Sequence, residues 1–257
     1  MMGQFKIIEV TPKNVTQETL FCSKDIKSNG FKCKQDWFLE QYEKGLRLKI
    51  LKSADEKMLG FIEHVPAIHA WRPIEAAEFM FVHCIVVYSK KDRNKGLGSM
   101  LIAEVEKEAK RKGLAGVCVM SSKGAWIADQ SIFIDNGYEI MDQLGRFELL
   151  SKKWDTAIPN PKLIDWTKQK AKYKGWNLIY ANQCPWHEKS VEAILNTAMD
   201  FDIDLKITKL ETAQEAKNAP SGFGVFSLLH DGKLIEDHYL SATRFRNILK
   251  KELQLGT

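Results

Sequence analysis

The sequence predicts a mixed α/β (α+β) chain of two successive domains, on three observations. A long apolar strand, Glu78 to Tyr88, is followed by a strongly amphipathic helix, Lys95 to Lys112, and by another apolar strand, Gly116 to Ser121. Such a strand, helix, strand order builds a sheet covered by helix. The stretch Asp155 to Lys174 then carries Ala157-Ile158-Pro159-Asn160-Pro161 and a Lys-rich run from Lys168 to Lys174, which reads as a linker. Beyond it the order β, α, β, α, β, β, α fits a small sheet flanked by helices. The expected division is residues 1–155, a linker at 156–174, and residues 175–257.

Element by element, Ile7 to Val10 alternates as a first strand, and Asn14 to Cys22 and Gln35 to Lys44 show helical spacing. The period then shortens to two. Arg47 to Leu51 and Met58 to His64 read as strands, and Glu78 to Tyr88 is apolar enough for a central strand buried on both faces. In the helix after it, Leu97, Leu101, Ile102, Val105 and Ala109 form one apolar stripe, and Gly113 is a stop signal. A shorter helix from Ala125 to Asp135 ends at Asn136-Gly137, before strands at Tyr138 to Met141 and Phe147 to Lys152. In the second domain, strands are expected at Leu178 to Ala181, Leu205 to Leu210, Gly224 to Leu229 and Leu234 to Asp237. Helices are expected at Glu188 to Met199, near Ala213 to Lys217, and at Ser241 to Leu253.

The 257 residues are 44% hydrophobic, enough for ordinary cores. A net charge of +5 with both signs intermixed lacks the concentrated basic face of nucleic-acid binders, so no nucleic acid partner is expected. No run approaches the roughly 20 apolar residues of a bilayer span, and Met1-Met2-Gly3-Gln4-Phe5-Lys6 lacks the pattern of a secretory leader. A cytoplasmic protein without a membrane partner is expected. Cys22, Cys33, Cys84, Cys118 and Cys184 are odd in number and show neither CxxC spacing nor a His/Cys cluster, so free thiols and no metal are expected.

Between the central strand and the strongest helix lies Arg93-Asn94-Lys95-Gly96-Leu97-Gly98. Glycines allow a tight turn and close backbone approach, and the first N–H groups of a helix donate to an anion. Arg93 and Lys95 add positive charge. The same residues would also serve as an ordinary solvated turn, but the strand before and helix after favour phosphate binding. A Walker-type loop is excluded by the Gly spacing and the missing Lys-Ser/Thr pair, and a dinucleotide fingerprint lacks its third glycine and acidic partner.

These residues resemble the signature of the GNAT superfamily of acyl-CoA N-acyltransferases: Arg or Gln, two residues, Gly, one residue, Gly or Ala. Roughly the first 155 residues match its order of elements, including the later helix that ends at Asn136-Gly137-Tyr138. The resemblance implies a splayed sheet, with acetyl-CoA as cosubstrate. Its pantetheine arm would pair with the strand at Ile85, Val86 and Val87, and its pyrophosphate would sit on the amides from Asn94 through Lys95, Gly96, Leu97 and Gly98 to Ser99. The runs Phe81-Val82-His83-Cys84-Ile85-Val86-Val87 and Ala70-Trp71-Arg72-Pro73 are similar to the YoaP-like branch, which carries a second domain at its carboxyl end.

Acyl transfer to an amine needs a neutral amine, an oxyanion stabilised by donors, and a proton for the leaving thiolate. Strict alternation puts Phe79, Phe81, His83, Ile85 and Val87 on one face of the long strand, and Met80, Val82, Cys84 and Val86 on the other. His83 is a candidate base by its ordinary pKa, or a core histidine bonded to backbone. Glu63 and Glu78 are the carboxylate candidates, or solvated side chains. Cys84 is a candidate nucleophile, or a small buried hydrophobe. Trp71, Arg72 and Trp126 are candidates for binding an aromatic or anionic acceptor, or for packing. In GNAT enzymes a Tyr four residues before the Gly that closes the last helix often protonates the thiolate. Phe133 holds that place here, which leaves Tyr138, Tyr88 or water as proton source, or a domain that binds without efficient transfer.

In the second domain Cys184-Pro185-Trp186-His187 follows a strand and opens a helix, and Ala219-Pro220 precedes a strand pair. This resembles the thioredoxin fold, in which the Pro is often cis and faces the helix-end cysteine. A helix N-terminus lowers a thiol's pKa, so Cys184 is a candidate nucleophile. His187 stands where a resolving cysteine would, so the motif cannot close a disulfide on itself. A monothiol role and a scaffold that recognises the acceptor or dimerises the protein both stand. The sequence as a whole points to an acetyl-CoA-dependent N-acetyltransferase acting on a small-molecule amine, with possible homodimer formation; the alternatives are a non-catalytic acyl-CoA sensor and a thiol-directed acyl or redox enzyme using Cys184.

Overall fold

The alternating segments pair as the period-two pattern requires, and in the computed structural model, which describes residues 5–20, 22–23, 25–124 and 127–253, they form three sheets, of seven, four and two strands. The first unit comprises Met1–Lys24, Phe38–Ala70 and Ile74–Ile164; the second comprises Asp25–Trp37, Trp71–Pro73 and Asp165–Thr257. This division departs from a simple amino-terminal and carboxyl-terminal split. The expected linker is also built into the units, because residues 162–163 form a strand and Trp166 is buried in a 3-10 turn.

In chain order the elements of the first unit begin with β1 (Phe5–Val10), α1 (Val15–Glu18) and α2 (Asn29–Glu43), whose first residues belong to the second unit. They continue with β2 (Arg47–Ser53), β3 (Met58–Pro66), β4 (Ile74–Glu75), β5 (Phe79–Val87), α3 (Leu97–Arg111), β6 (Gly116–Ser122), α4 (Ser131–Ile134), β7 (Glu139–Leu144), β8 (Phe147–Lys153) and β9 (Lys162–Leu163). The main sheet has the order β1-β2-β3-β5-β6-β8-β7, and its one parallel pair is β5 with β6. α3 crosses between those two strands, as a parallel connection requires. Its apolar stripe, Leu97, Leu101, Ile102, Val105 and Ala109, enters a core with Leu51, Ile62, Met80, Val82, Ile85, Val117, Val119 and Leu150.

The predicted helix Asn14 to Cys22 shrinks to four residues, and α4 is shorter than the predicted Ala125 to Asp135. Ala125 lies outside the described residues. α2 begins six residues before the predicted Gln35. Among the described residues no helix is long and apolar enough to cross a membrane.

In the second unit β10 (Trp176–Tyr180), α5 (Pro185–Asp200), β11 (Leu205–Lys209), α6 (Ala213–Lys217), β12 (Phe226–His230), β13 (Lys233–Glu236) and α7 (Ala242–Glu252) follow the predicted order. The sheet runs β11-β10-β12-β13, parallel between β10 and β11 and antiparallel elsewhere. α6 starts with a capping box, in which Glu215 N–H donates to Thr212 Oγ1 and the Glu215 carboxylate accepts from Thr212 N–H. Gly30 of α2 packs directly on the Pro185 carbonyl, leaving no room for a Cβ. Gly30→Ala is therefore expected to destabilise the protein by about 1–3 kcal/mol, read as a lower midpoint in urea; an unchanged midpoint would mean that α2 shifts freely away from α5.

Candidate active site

Two features of β5 make the site, and the first is its parting from β6. The parallel register holds only from Phe79 with Gly116 to Val82 with Val119, although β5 continues to Val87. On its other side β5 stays paired with β3 along its length, from Pro66 with Met80 to Gly60 with Val87. Beyond Val82 β5 therefore leaves the β5–β6 ladder, and Ile85, Val86 and Val87 present an edge of backbone donors and acceptors outside it. An extended ligand arm can add to such an edge as a strand would.

The second feature is a bulge. Glu63 pairs with Cys84 and His64 with Val82, so His83 is an extra residue in β5. The bulge corrects the strict alternation expected from the sequence. Met80 and Val82 face the α3 core before it, and Ile85 lies in the same core after it with Val87 packed against it. Ile85 and Val87 thus share a face with Met80 and Val82, not with Phe79 and Phe81. His83 Nδ1 lies 3.4 Å from Glu63 Oε1, and both side chains are buried, at 0% and 3% exposure. The His83 ring also stands edge-on to Phe81, with centroids 5.4 Å apart. The structure brings the two predicted proton-transfer groups together and seals both from solvent.

The strand feeds the predicted phosphate turn. Asn94 and Gly96 have left-handed backbone, at φ 61° and 76°, and Gly96 caps α3. The first bond within the helix is Met100 N–H to Gly96 O, at 3.0 Å. The amides of Leu97, Gly98 and Ser99 precede it and have no helical carbonyl to reach. Gly98 packs so closely on Ile132 that a Cβ would collide with its side chain. Asn136 Nδ2 donates to Ser99 Oγ at 3.0 Å and to Ile132 O at 2.7 Å, tying the start of α3 to α4. Arg93 is exposed, while Lys95 Nζ is held 3.1 Å from Asp92 Oδ1.

The remaining predicted residues fall elsewhere. Glu78 precedes β5 at the end where β5 and β6 are still paired, and its carbonyl accepts from Ala115 N–H at 2.8 Å. It is five residues from His83, roughly 16 Å of extended chain, so it does not join the His83–Glu63 pair. Cys84 is half-buried. Trp71 and Arg72 belong to the second unit and are buried in it, in line with the packing alternative that their residue types also allow. Trp71 is 1% exposed and packs edge-on against Trp37. Arg72 is 5% exposed, donates from Nη1 to Gln183 Oε1 at 2.7 Å, and stacks on Phe223. Trp126 lies outside the described residues.

Of the candidate proton sources, Phe133 is wholly buried and Tyr138 packs edge-on against it in the core. Burial, with Glu106 nearby, pushes the Tyr138 hydroxyl far above the ordinary phenol range. Tyr88 is different. It directly follows β5, is 40% exposed, and is anchored by its N–H to Leu59 O. Burial and then the neighbouring Cys22 and Cys84 also hold its proton well above the ordinary range.

A buried charge cluster that sequence reasoning missed docks α3 on the sheet. Glu108 Oε2 lies 3.0 Å from Lys49 Nζ and 3.1 Å from His64 Nε2. Burial works to raise the Glu108 carboxyl, but His64 and Lys49 overcome it and hold the group well below the carboxylate range. Burial lowers His64, outweighing the pull of Glu108. Lys49, His64 and Glu108 stand 15 and then 44 residues apart along the chain, which leaves no local signal for such a cluster.

In the second unit Cys184 is the N-cap of α5 and Pro185 its first residue. His187 is fully buried and its Nδ1 donates to Ala181 O at 2.7 Å. Burial pushes its pKa down to about 4 against that bond. Among the described residues every peptide bond is trans, Ala219–Pro220 included, which differs from the cis bond common in the thioredoxin fold.

Residues 204–247 match the family described as YoaP-like. Along nearly its whole length the chain is also similar to the "Uncharacterized N-acetyltransferase YoaP" of Bacillus subtilis (strain 168), at 24% identity over 248 residues, covering 94% of this chain and 97% of that one. Among solved structures, the chain is similar to YncA, a putative acetyltransferase from Salmonella typhimurium solved with its cofactor acetyl-CoA, at 13% identity and a TM-score of 0.44 over 61% of this chain and 98% of that one. It is also similar to the PaiA N-acetyltransferase from Thermoplasma acidophilum in complex with coenzyme A, at 18% identity and a TM-score of 0.40 over 58% and 99%.

Proposed function

We propose that this chain is an acetyl-CoA-dependent N-acetyltransferase acting on a small-molecule amine. The observation that carries the reading is the course of β5: the half that parts from β6 runs straight into a left-handed glycine turn that opens α3. The open edge at Ile85, Val86 and Val87 suits the amides of a pantetheine arm. The α3 amides from Leu97 to Ser99, with Arg93 beside them, suit a pyrophosphate. Acetyl-CoA supplies the activated acyl group; the chain's own part is to hold it extended and to manage protons. The similarity to a named N-acetyltransferase over the whole chain supports the same reading.

Tyr88 is the phenol we assign to protonating the leaving thiolate, since Phe133 carries no proton and Tyr138 is enclosed. We read the second unit as a thioredoxin-like scaffold, supported by its β11-β10-β12-β13 sheet and by Cys184 at the start of α5.

Saturating acetyl-CoA at about 100 Kd should stabilise the fold by about 2.7 kcal/mol, a rise in melting temperature of roughly 5–10 °C. No shift would remove the reading. With an amine panel, coenzyme A release should follow, and Tyr88→Phe should lower kcat about 100-fold without changing KM for acetyl-CoA. The buried Phe133 favours one second reading, a non-catalytic acyl-CoA sensor. A melting shift without coenzyme A release from any amine would select it. Full turnover by Cys184→Ser would remove Cys184 from the chemistry.

A further inference from the structure

We infer that the groove between β13 and α7 in the second unit is a binding site for a small monocarboxylate with an apolar body, held by Lys251 and Asn247. The inference concerns the second unit alone and stands apart from the acetyl-CoA reading of β5. β13 has β12 on one side only, and all four of its residues, Lys233 to Glu236, line a cavity of about 570 Å³. That is the size of a small-ligand cleft. The opposite wall is one face of α7, where Arg244, Asn247, Ile248 and Lys251 follow the i, i+3, i+4, i+7 spacing that aligns side chains along a helix. Phe245 and Leu249 are the buried residues of the same helix, so its docking does not consume the groove face.

Two ion pairs fix the walls. Lys233 Nζ, at the start of β13, donates to Glu252 Oε1 at the end of α7, at 2.8 Å. Arg244 Nε, near the start of α7, donates to Glu236 Oε1 at the end of β13, at 3.0 Å. Strand and helix therefore run antiparallel, with a bridge at each end of the groove. The two pairs engage both carboxylates that line it, whereas the lining cations are Lys233, Arg244 and Lys251. One positive charge is left unmatched, that of Lys251. Among the described residues neither the Lys251 ammonium nor the Asn247 amide, one turn earlier, has a hydrogen-bond or ion-pair partner. Leu234, Ile235 and Ile248, all half-buried, give the groove its apolar lining. A ligand that meets these features carries a single negative charge, an amide or hydroxyl beside it, and a short apolar chain. A phosphate dianion would exceed the free charge and leave the apolar lining wet.

N-acetyl-leucine carries those groups, and N-acetyl-leucinamide is its uncharged counterpart. Titrated into the full chain and followed by amide NMR, N-acetyl-leucine should move the resonances of Lys233–Glu236 and of α7 around Asn247 and Lys251, with a dissociation constant of about 1 mM. Lys251→Met keeps the stem and loses the charge; it should weaken binding about fivefold, as should replacing the acid by the amide. Asn247→Ala should weaken it to a similar extent, about fivefold. Lys250→Met removes the same charge from a neighbour that does not line the groove, and it should bind as wild type does. The inference is overturned if about 20 mM N-acetyl-leucine moves no resonance of β13 or α7. Equal affinity for acid and amide, or an equal loss in Lys250→Met and Lys251→Met, would overturn it as well.

Discussion

Replacing Gly96 with valine is expected to abolish the melting-temperature rise produced by acetyl-CoA while costing the free protein only about 1–2 kcal/mol. The two effects separate because of what surrounds the residue. A Cβ at Gly96 meets nothing within 4 Å, so there is no collision to relieve. Its φ of 76°, however, is left-handed, and a β-branched residue resists that conformation strongly. The turn would relax, and the amides of Leu97, Gly98 and Ser99 would no longer converge on one anion. Calorimetric titration with coenzyme A, alongside a urea melt, separates the outcomes: retained affinity in Gly96→Val would mean that the turn does not hold the phosphates.

The largest loss of stability is expected from Glu108→Ala. The variant would strand His64, which is 0% exposed, and leave Lys49, 10% exposed, with only the more distant Glu104 carboxylate at 3.8 Å. Breaking one member of such a buried cluster costs about 3–5 kcal/mol, a drop of roughly 10 °C in melting temperature for a chain of this size. The pH dependence follows from the same groups. Glu108 is depressed in the folded state, so the stability it contributes is present above its unfolded value and is lost as pH falls toward the folded one. His64 is also depressed, so below its ordinary value of 6.5 the unfolded chain binds its proton more readily and stability declines further. Wild type should thus weaken first below pH 6.5 through His64 and again below pH 4.5 through Glu108, and Glu108→Ala should lose only the second part, read as a shallower slope in urea melts taken below pH 4.5. Equal slopes would show that other carboxylates govern acid unfolding.

The cluster sits on the face of α3 beside the apolar stripe that docks the same helix, and α3 is the helix whose first amides form the proposed phosphate site. Stability and cosubstrate binding are therefore coupled through one element. A variant that loosens Glu108 is expected to weaken acetyl-CoA binding indirectly, whereas Gly96→Val acts on the turn itself.

Hydrophobic period and turn chemistry were enough to find the long strand, the amphipathic helix after it and the glycine turn between them, because each of those signals is local: apolar residues at spacing two or at three and four, and Gly96 and Gly98 at a helix start. The order of elements in the second unit was legible for the same reason. Features set by pairing between distant strands were not. The bulge at His83 depends on the register of β5 against β3 and cannot be seen in either strand alone, so strict alternation placed Ile85 with His83 on the wrong face. The approach of His83 to Glu63, and of Glu108 to Lys49 and His64, joins residues brought together by the sheet. Trp71 and Arg72 read equally well as ligand contacts or as packing from their residue types, and their burial in the second unit came from contacts with Trp37, Gln183 and Phe223 far along the chain. Local chemistry names the groups that can bind an acyl-CoA; the register of the sheet sets which of them face the ligand, since one extra residue exchanges every face and every amide beyond it.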